Sequence, residues 1–565
     1  MQKKLIARLF FSVVFAISTF VLLLEFYLNK IPLSSATSTV GYSIFANFNI
    51  DTVYFETYGW TLFFPLLFWI YFRLSFCLFP DNTKHLVTPK KYLSPFLSLE
   101  KEKNYSICYK LIVFLLIPLG IYLFRFNPTM DVGLGDLFHL GESLAAGHLL
   151  SQGHTPYKDF LFIHGLFNDP ITAYVSFKIF GSTLLGFANG MEIIWRPLFW
   201  LSFYYLWAVL FYKRPPLLIS LGFLAMANPF VGLTHVRFIF LPIAAIFIWL
   251  WMNKETWLYA CFAVLTSFFG FLMTPEIAFF LMAFAPVIFL HDVICKRKFV
   301  KTKQGVLLSL MCLVMIHFFL KLFSMWPGFL EYFSIFGADH KHVGGIPVWL
   351  KGGLDSSIRD FTILALAILT GYFIFLLKRM KDWTNTTWYM FGWYIFAILY
   401  LFKFVNRADN AHIYQVAAMT LTSLSILLFQ LTNKGNILTL WLLVPISLFF
   451  NSPLLENLKI LPNKFFMKIS HFRDASDPLV NTRLDSEQLG VITSFKEIIA
   501  EHPNWKWFDF TNTPGLFYYI LGLPSPTRFF HVSMAATEMS QKLLLQELEK
   551  AQPEIVIYYG TWGLQ

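Results

Sequence analysis

Residues 257–294 read WLYACFAVLTSFFGFLMTPEIAFFLMAFAPVIFLHDVI. Two apolar runs flank the triplet Thr274-Pro275-Glu276. A Thr before the first helical residue, a Pro in that position and a Glu in the first turn together form a helix-start signal. Apolar runs of this length can cross a hydrocarbon layer about 30 Å thick. The stretch therefore predicts two membrane-spanning helices joined by a short turn.

The composition of the whole chain extends this prediction. Of its 565 residues, 57% are hydrophobic and 14% are charged, whereas an ordinary soluble domain carries about 25% charged residues. A chain with so few charges cannot cover a water-facing surface of its own size. The composition indicates an α-helical polytopic membrane protein and excludes a soluble enzyme, a fibrous protein and a disordered chain.

Hydropathy predicts about thirteen transmembrane helices, the first being a retained span rather than a signal peptide. Their expected limits are 5–28, 59–79, 109–125, 188–212, 217–233, 238–252, 257–273, 277–294, 305–324, 358–377, 388–405, 413–431 and 437–450. Residues 1–108 contain two additional spans and a cytoplasmic loop. Residues 109–450 form the transmembrane core with a large external loop at 126–187, and 451–565 form a soluble domain.

The cationic residues indicate the orientation of the chain. Its net charge of +11 would favour nucleic-acid binding in a soluble protein. Here Lys and Arg are concentrated in alternate loops, such as 80–108 and 295–304, whereas 29–58 and 326–357 contain few. The positive-inside rule therefore predicts a cytoplasmic N-terminus, an external loop 126–187 and no nucleic-acid partner.

Residues 451–565 contain no run long enough to cross a bilayer. Their pattern predicts short strands at 505–510 and 554–559, with helices at 516–521 and 539–550. This alternation indicates a small α/β domain. An odd number of spans places that domain outside the cytoplasm.

The predicted external loop 126–187 opens with the acidic segment Asp131-Val-Gly-Leu-Gly-Asp136-Leu-Phe-His139-Leu-Gly-Glu142. In a helix, Asp136, His139 and Glu142 fall on one arc and the leucines fall on another side. The segment therefore predicts an amphipathic helix in the membrane interface. Its polar face is either a solvated surface or a general base that faces a cleft.

The same loop continues with turn signals rich in Gly and Pro, including Asn-Asp-Pro at 168–170. Asp159 and His164 are candidate binding residues in this part. For Asp159, a local capping or salt-bridge role is the alternative. Glu276 is a secondary candidate, because its position at a helix start already explains it.

A further polar cluster, NRADNAH at 406–412, forms the turn between two predicted spans. Polar side chains between apolar helices are costly unless they have a function. We predict that Arg407 binds a phosphate, with Asp409 orienting it and His412 as a second contact. The alternative is an Arg–Asp pair that only caps a helix.

Nucleotide-binding motifs are missing from the sequence. It contains no Walker loop, no GxGxxG at a helix start and no GxSxG elbow, which argues against a nucleotide-driven pump and against a Rossmann domain for a nucleotide sugar. No cofactor is predicted, and a divalent metal is not indicated by the cysteine or histidine spacing.

The acidic segment, followed by GHTPYKDFLFIHGLF at 153–167, resembles the loop after the first core span of GT-C glycosyltransferases. These polytopic enzymes are related to protein O-mannosyltransferases and aminoarabinose transferases. The Arg407-Ala-Asp409-x-x-His412 turn is similar to a motif late in bacterial members, and a soluble external C-terminal domain is common among them. The resemblance implies an enzyme of the bacterial inner membrane.

The resemblance also implies a polyprenyl-phosphate sugar as donor, presented from the lipid bilayer, and an acceptor on the external side. Transfer with inversion needs a carboxylate to take the proton of the acceptor hydroxyl. By position this general base is Asp136, with Asp131 and Glu142 as alternatives because the chain separates its acids. Arg407 steadies the departing phosphate in this scheme.

Two other functions stay open. A transporter or flippase of a lipid-linked or small polar substrate is expected to carry polar residues or broken helices near the bilayer midplane, and to contain internal repeats. The acids of this chain gather at one predicted interface and no repeat is visible, which favours the enzyme. The other function is that of an inactive scaffold with the same fold.

Overall fold

The computed structural model describes residues 2–28, 57–78, 106–134, 137–162, 164–212, 215–227, 236–275, 277–295, 299–339, 354–406, 477–511, 515–530, 532–535 and 538–558. Within these ranges the chain is mostly helical and has few strands. A helix satisfies its own backbone N–H and C=O groups, which is what a chain in hydrocarbon requires.

Helices account for most of the described chain up to residue 406. They are α1 (Gln2–Leu28), α2 (Phe64–Leu78), α3 (Ile107–Leu111), α4 (Ile117–Arg125), α5 (Leu137–Ser151), α6 (Thr172–Phe180), α7 (Leu184–Gly190), α8 (Arg196–Phe211), α9 (Pro215–Ala227), α10 (Phe240–Lys254), α11 (Trp257–Met273), α12 (Ile277–Ile294), α13 (Val300–Leu322), α14 (Trp326–Asp339), α15 (Leu354–Leu376) and α16 (Asn385–Asn406). Short π-helical segments occur at Gly59–Phe63, Ile112–Leu116, Phe167–Ile171 and Met191–Trp195.

In the described part of the chain, five helical segments are long and apolar enough to cross a membrane. They are Gly59–Phe76, Ile107–Arg125, Leu184–Phe211, Val236–Lys254 and Val300–Leu322. Each span predicted before residue 407 overlaps a helix, so the helix predictions in that part are confirmed. The predicted spans 413–431 and 437–450 lie outside the described residues.

The apolar helices pack around large buried rings. Trp388 and Trp393 of α16 and Tyr204 of α8 are fully buried. The α1–α2 pair joins the same bundle through α15, because the Thr370 hydroxyl donates to the Thr61 carbonyl oxygen over 2.7 Å. Helices α1 and α2 are therefore attached to the bundle through α15.

The C-terminal region, which we define as the described residues between 477 and 558, mixes helices and strands. It contains β2 (Thr482–Arg483), α17 (Ser486–Glu501), β3 (Trp507–Asp509), α18 (Leu516–Leu521), α19 (Glu538–Ala551) and β4 (Ile555–Ile557). Strands β3 and β4 are parallel, with Phe508 opposite Val556. The strands and helices predicted after residue 500 are thus confirmed, each within a few residues of its expected ends.

The C-terminal region packs against residues 132–162. Strand β2 pairs in parallel with β1 (Val132–Gly133), and the backbone N–H of Leu161 donates to the carbonyl oxygen of Arg528 over 2.9 Å. The rings of Phe160 and Phe530 are 6.4 Å apart and belong to one hydrophobic cluster. The region therefore covers α5 and the turn after it.

Candidate functional site

Glu142 is an acid on a helix that is covered on several sides. The residue is 3% exposed, because α5 is packed by α18, by α6 and by the π-helical turn Phe167–Ile171. The following residues Leu144, Ala145 and Ala146 are also buried. The reading of this face as a solvated surface is therefore wrong at Glu142. A carboxylate in this position needs partners inside the protein.

Two partners come from the turn between residues 164 and 169. His164 Nδ1 lies 3.2 Å from Asp169 Oδ1 and 3.8 Å from Glu142 Oε2. Asp169 Oδ2 accepts the backbone N–H of His164 over 2.9 Å, and Asp169 Oδ1 accepts the side-chain amide of Asn168 over 2.6 Å. Asp169 is 1% exposed. The structure thus brings Glu142 and His164 together and adds Asp169.

A π-helical turn and a glycine place this cluster. The turn Phe167–Ile171 contains Pro170, which has no N–H to donate, and π-helical turns of this kind are frequent at functional sites. Gly165 lies against the end of α11, where a Cβ atom would be 2.3 Å from the Met273 carbonyl oxygen. Only glycine permits that approach. It holds His164 beside the end of an apolar helix.

A buried cation and a buried phenol lie on the neighbouring segments. Arg237, 5% exposed, belongs to the 3₁₀ turn Val236–Phe238, which packs against the π-helical turn. Tyr157 is buried, and burial followed by the charge of Asp169 raises its pKa, so it stays neutral. A pair of carboxylates with an imidazole can move a proton, and a guanidinium can balance the charge of an anionic ligand.

Sequence reasoning missed Asp169 and Arg237. The sequence pattern indicates only a turn at Asp169, and Arg237 immediately precedes the predicted span 238–252. The signal for Arg237 is a single cation at the start of an apolar run. Ionisable residues in such positions tend to be functional.

The remaining predicted residues fall into two groups. Asp131 forms an exposed ion pair with Arg483, at 3.3 Å, and Asp159 Oδ2 accepts the backbone N–H of Thr155 over 2.7 Å, which supports its local capping role. His139 belongs to α5, and its side chain is outside the description. The other predicted residues lie outside the described ranges altogether; they are Asp136, Glu276, Arg407, Asp409 and His412.

The other imidazole on α5 is not a cation. Burial, with a smaller effect from His154, lowers the pKa of His148 to about 4, so its ring is neutral near pH 7. Among the residues that the structure describes, no group of three or more His, Cys, Asp or Glu side chains is arranged to hold a metal ion.

Comparisons with known proteins identify no relative. No family model matches the chain, and no curated protein or solved structure matches it either. The function is therefore inferred from the residues of the chain itself.

Proposed function

We propose that this chain is a membrane glycosyltransferase. It transfers a sugar from a polyprenyl-phosphate donor to an extracytoplasmic acceptor, which is a cell-envelope glycan, lipid or protein. The proposal includes the finer architecture expected from the sequence: about thirteen transmembrane helices in a GT-C-like arrangement, a cytoplasmic N-terminus and an extracytoplasmic C-terminal α/β domain, in the bacterial inner membrane.

The observation that supports this proposal is the buried cluster of Glu142, His164 and Asp169 beside the end of α11. Burying ionisable groups is costly, and proteins retain them mainly where chemistry or binding uses them. In the predicted topology this end of α11 faces the outside. A donor carried by a lipid presents its phosphate and sugar at such a membrane surface.

Transfer of the sugar needs one proton acceptor. The acceptor oxygen forms a bond to the anomeric carbon while the bond from that carbon to the phosphate oxygen breaks, and polyprenyl phosphate leaves with the electron pair. A carboxylate takes the hydroxyl proton. We assign this role to Glu142, because Asp131 is engaged with Arg483 at the surface. Asp136, outside the described residues, is tested beside it.

The leaving phosphate needs a cation. The sequence predicts Arg407 for this role, with Asp409 and His412 beside it. Arg237 is a second cation, on the turn Val236–Phe238 that packs against Phe167–Ile171. A guanidinium that already points at the phosphate stabilises the charge that develops there.

The test is sugar transfer by the purified protein in proteoliposomes, with a panel of polyprenyl-phosphate sugars. We expect turnover in the wild type and a loss of at least about 100-fold in E142Q, the size of a typical general-base contribution. The variants D136N and R407A are measured in parallel. E497Q, which changes an exposed carboxylate of α17, is the matched control and should retain full activity.

The same preparation distinguishes the alternatives. Loss in D136N with full activity in E142Q would move the base to Asp136. Movement of lipid-linked substrate across the bilayer without transfer of sugar from any donor would contradict the enzyme and favour a flippase.

A further inference from the structure

One ring nitrogen faces two buried carboxylates. His164 Nδ1 is 3.2 Å from Asp169 Oδ1 and 3.8 Å from Glu142 Oε2. The side chains of Glu142 and Asp169 are 4% and 1% exposed, and that of His164 is 15% exposed. The imidazole is therefore the most exposed of the three groups, and it lies between the other two.

The two carboxylates differ in what they can do. Asp169 accepts the His164 backbone N–H and the Asn168 amide in addition to its contact with the ring. These three contacts hold the Asp169 carboxylate in one position. Asp169 thus fixes the orientation of His164, as the buried acid of a catalytic triad orients its histidine.

The burial of Glu142 has a different consequence. Burial favours the neutral form of a carboxyl group, and a neutral Glu142 cannot accept the proton of an acceptor hydroxyl. A positive charge within about 4–6 Å favours the ionised form and lowers the pKa of a carboxyl group by about 1–3 units. A protonated His164 is a cation at that distance.

The described elements around the cluster carry other charged and titratable groups. They are His148 on α5, Tyr174 and Lys178 on α6, Tyr518 and Tyr519 on α18, His154, Tyr157, Lys158 and Asp159 in the preceding turn, and Arg237. His148 is neutral near pH 7, and burial raises the pKa of Tyr157, Tyr518 and Tyr519. Arg237 belongs to the turn Val236–Phe238, which packs against Phe167–Ile171.

We propose that His164, held in place by Asp169, is a positioning residue that keeps Glu142 ionised so that Glu142 can accept a proton. This inference rests on the proposed function for its catalytic meaning. Its electrostatic part concerns only the side chains of Glu142, His164 and Asp169, and does not depend on the reaction.

The first test is the pH dependence of kcat/KM in proteoliposomes. In H164Q the acidic limb of the profile should move to higher pH by about one unit or more, with activity largely recovered above the new limb. D169N, which keeps the imidazole, should move the limb by less than H164Q does. H154Q changes another histidine of the same segment and is the matched control. A uniform loss at every pH in H164Q would contradict the proposal.

The second test needs no turnover. Infrared difference spectra between wild type and E142Q at neutral pH should show the carboxylate bands of Glu142, and in the H164Q background a protonated-carboxyl band should replace them. A protonated Glu142 in the wild type would overturn the proposal even if H164Q failed to fold. Protein with the expected bands but no sugar transfer would contradict the proposed function alone.

Discussion

Among single residues, the buried carboxyl group of Asp509 leads to a prediction about how stability depends on pH. It ends β3 with a carboxyl group that is 1% exposed, and Asp509 Oδ1 accepts the backbone N–H and the hydroxyl of Thr511. Burial raises its pKa from 3.8 to about 7, against the opposing effect of those hydrogen bonds. The folded protein therefore holds this proton more tightly than the unfolded chain does.

The sign of the pH effect follows from that difference. Between about pH 4 and pH 7 the unfolded chain has lost the proton and the folded protein keeps it, so the contribution of Asp509 to stability falls as pH rises. The loss is at most about 4 kcal/mol and is complete above pH 7. Thermal unfolding in detergent should show a smaller decline from pH 4 to pH 7 in D509N than in wild type.

A control separates burial from charge. E501Q removes an exposed carboxylate of α17 in the same region and should leave the pH dependence of the melting temperature unchanged. Equal slopes in D509N and wild type would show that the Asp509 carboxyl ionises freely in the folded protein.

Contacts between distant segments distinguish the residues that sequence reasoning missed from those it named. The helical arc predicts Glu142 as a candidate, since it depends only on spacing along α5. Asp169 becomes a candidate only because the fold buries it against His164, and Arg237 because the fold buries it on a turn that packs against Phe167–Ile171. That information comes from contacts between distant segments, which spacing does not contain.

At the scale of elements, Gly165 tests how the turn and α11 fit together. A methyl group there would sit 2.3 Å from the Met273 carbonyl oxygen and 2.8 Å from its carbon. Because this obstacle is backbone, the turn has to move away from the helix. Overpacking of this kind typically costs about 1–3 kcal/mol. G165A should lower the melting temperature and also reduce sugar transfer, since it displaces His164.

G371A is the matched control for that variant. Gly371 lies in α15 with nothing within 4 Å of its Cβ position, and alanine is the better helix former. Its melting temperature should be equal to wild type or slightly higher. A melting temperature of G165A as high as that of G371A would show that the turn and α11 do not make this close contact.

Elements also show which parts of the fold a sequence can predict. Local patterns predicted α18, α19, β3 and β4, because periodicity and turn residues act within a few positions. The pairing of Val132 with Thr482 was not predicted, since it joins segments far apart in the sequence. The π-helical turn that places Asp169 has no local signature beyond Pro170.

At the scale of the whole molecule, Arg528 joins three parts of the chain. Its guanidinium donates from Nη1 to Glu331 Oε2 on α14 over 2.6 Å and from Nε to Glu547 Oε1 on α19 over 2.7 Å. These hydrogen bonds, the one to Glu331 first, raise the pKa of Arg528. Its carbonyl oxygen accepts the N–H of Leu161. One residue thus ties the C-terminal region to the helix bundle and to the turn that leads to His164.

R528Q should therefore loosen the docking of the C-terminal region. Hydrogen bonds to charged groups contribute about 1.5–3 kcal/mol each, and we expect less here because Glu331 is 36% exposed. Hydrogen exchange should increase in α14 and residues 155–162, which Arg528 contacts, and in α18, which packs on α5 and is released when the C-terminal region undocks. K542Q breaks the exposed Lys542–Glu538 pair of α19, which should contribute less than about 1 kcal/mol, and should leave exchange in all three unchanged. Faster exchange confined to α19 in R528Q would mean that the C-terminal region stays docked without Arg528, and that apolar contacts such as Phe160 with Phe530 hold it in place.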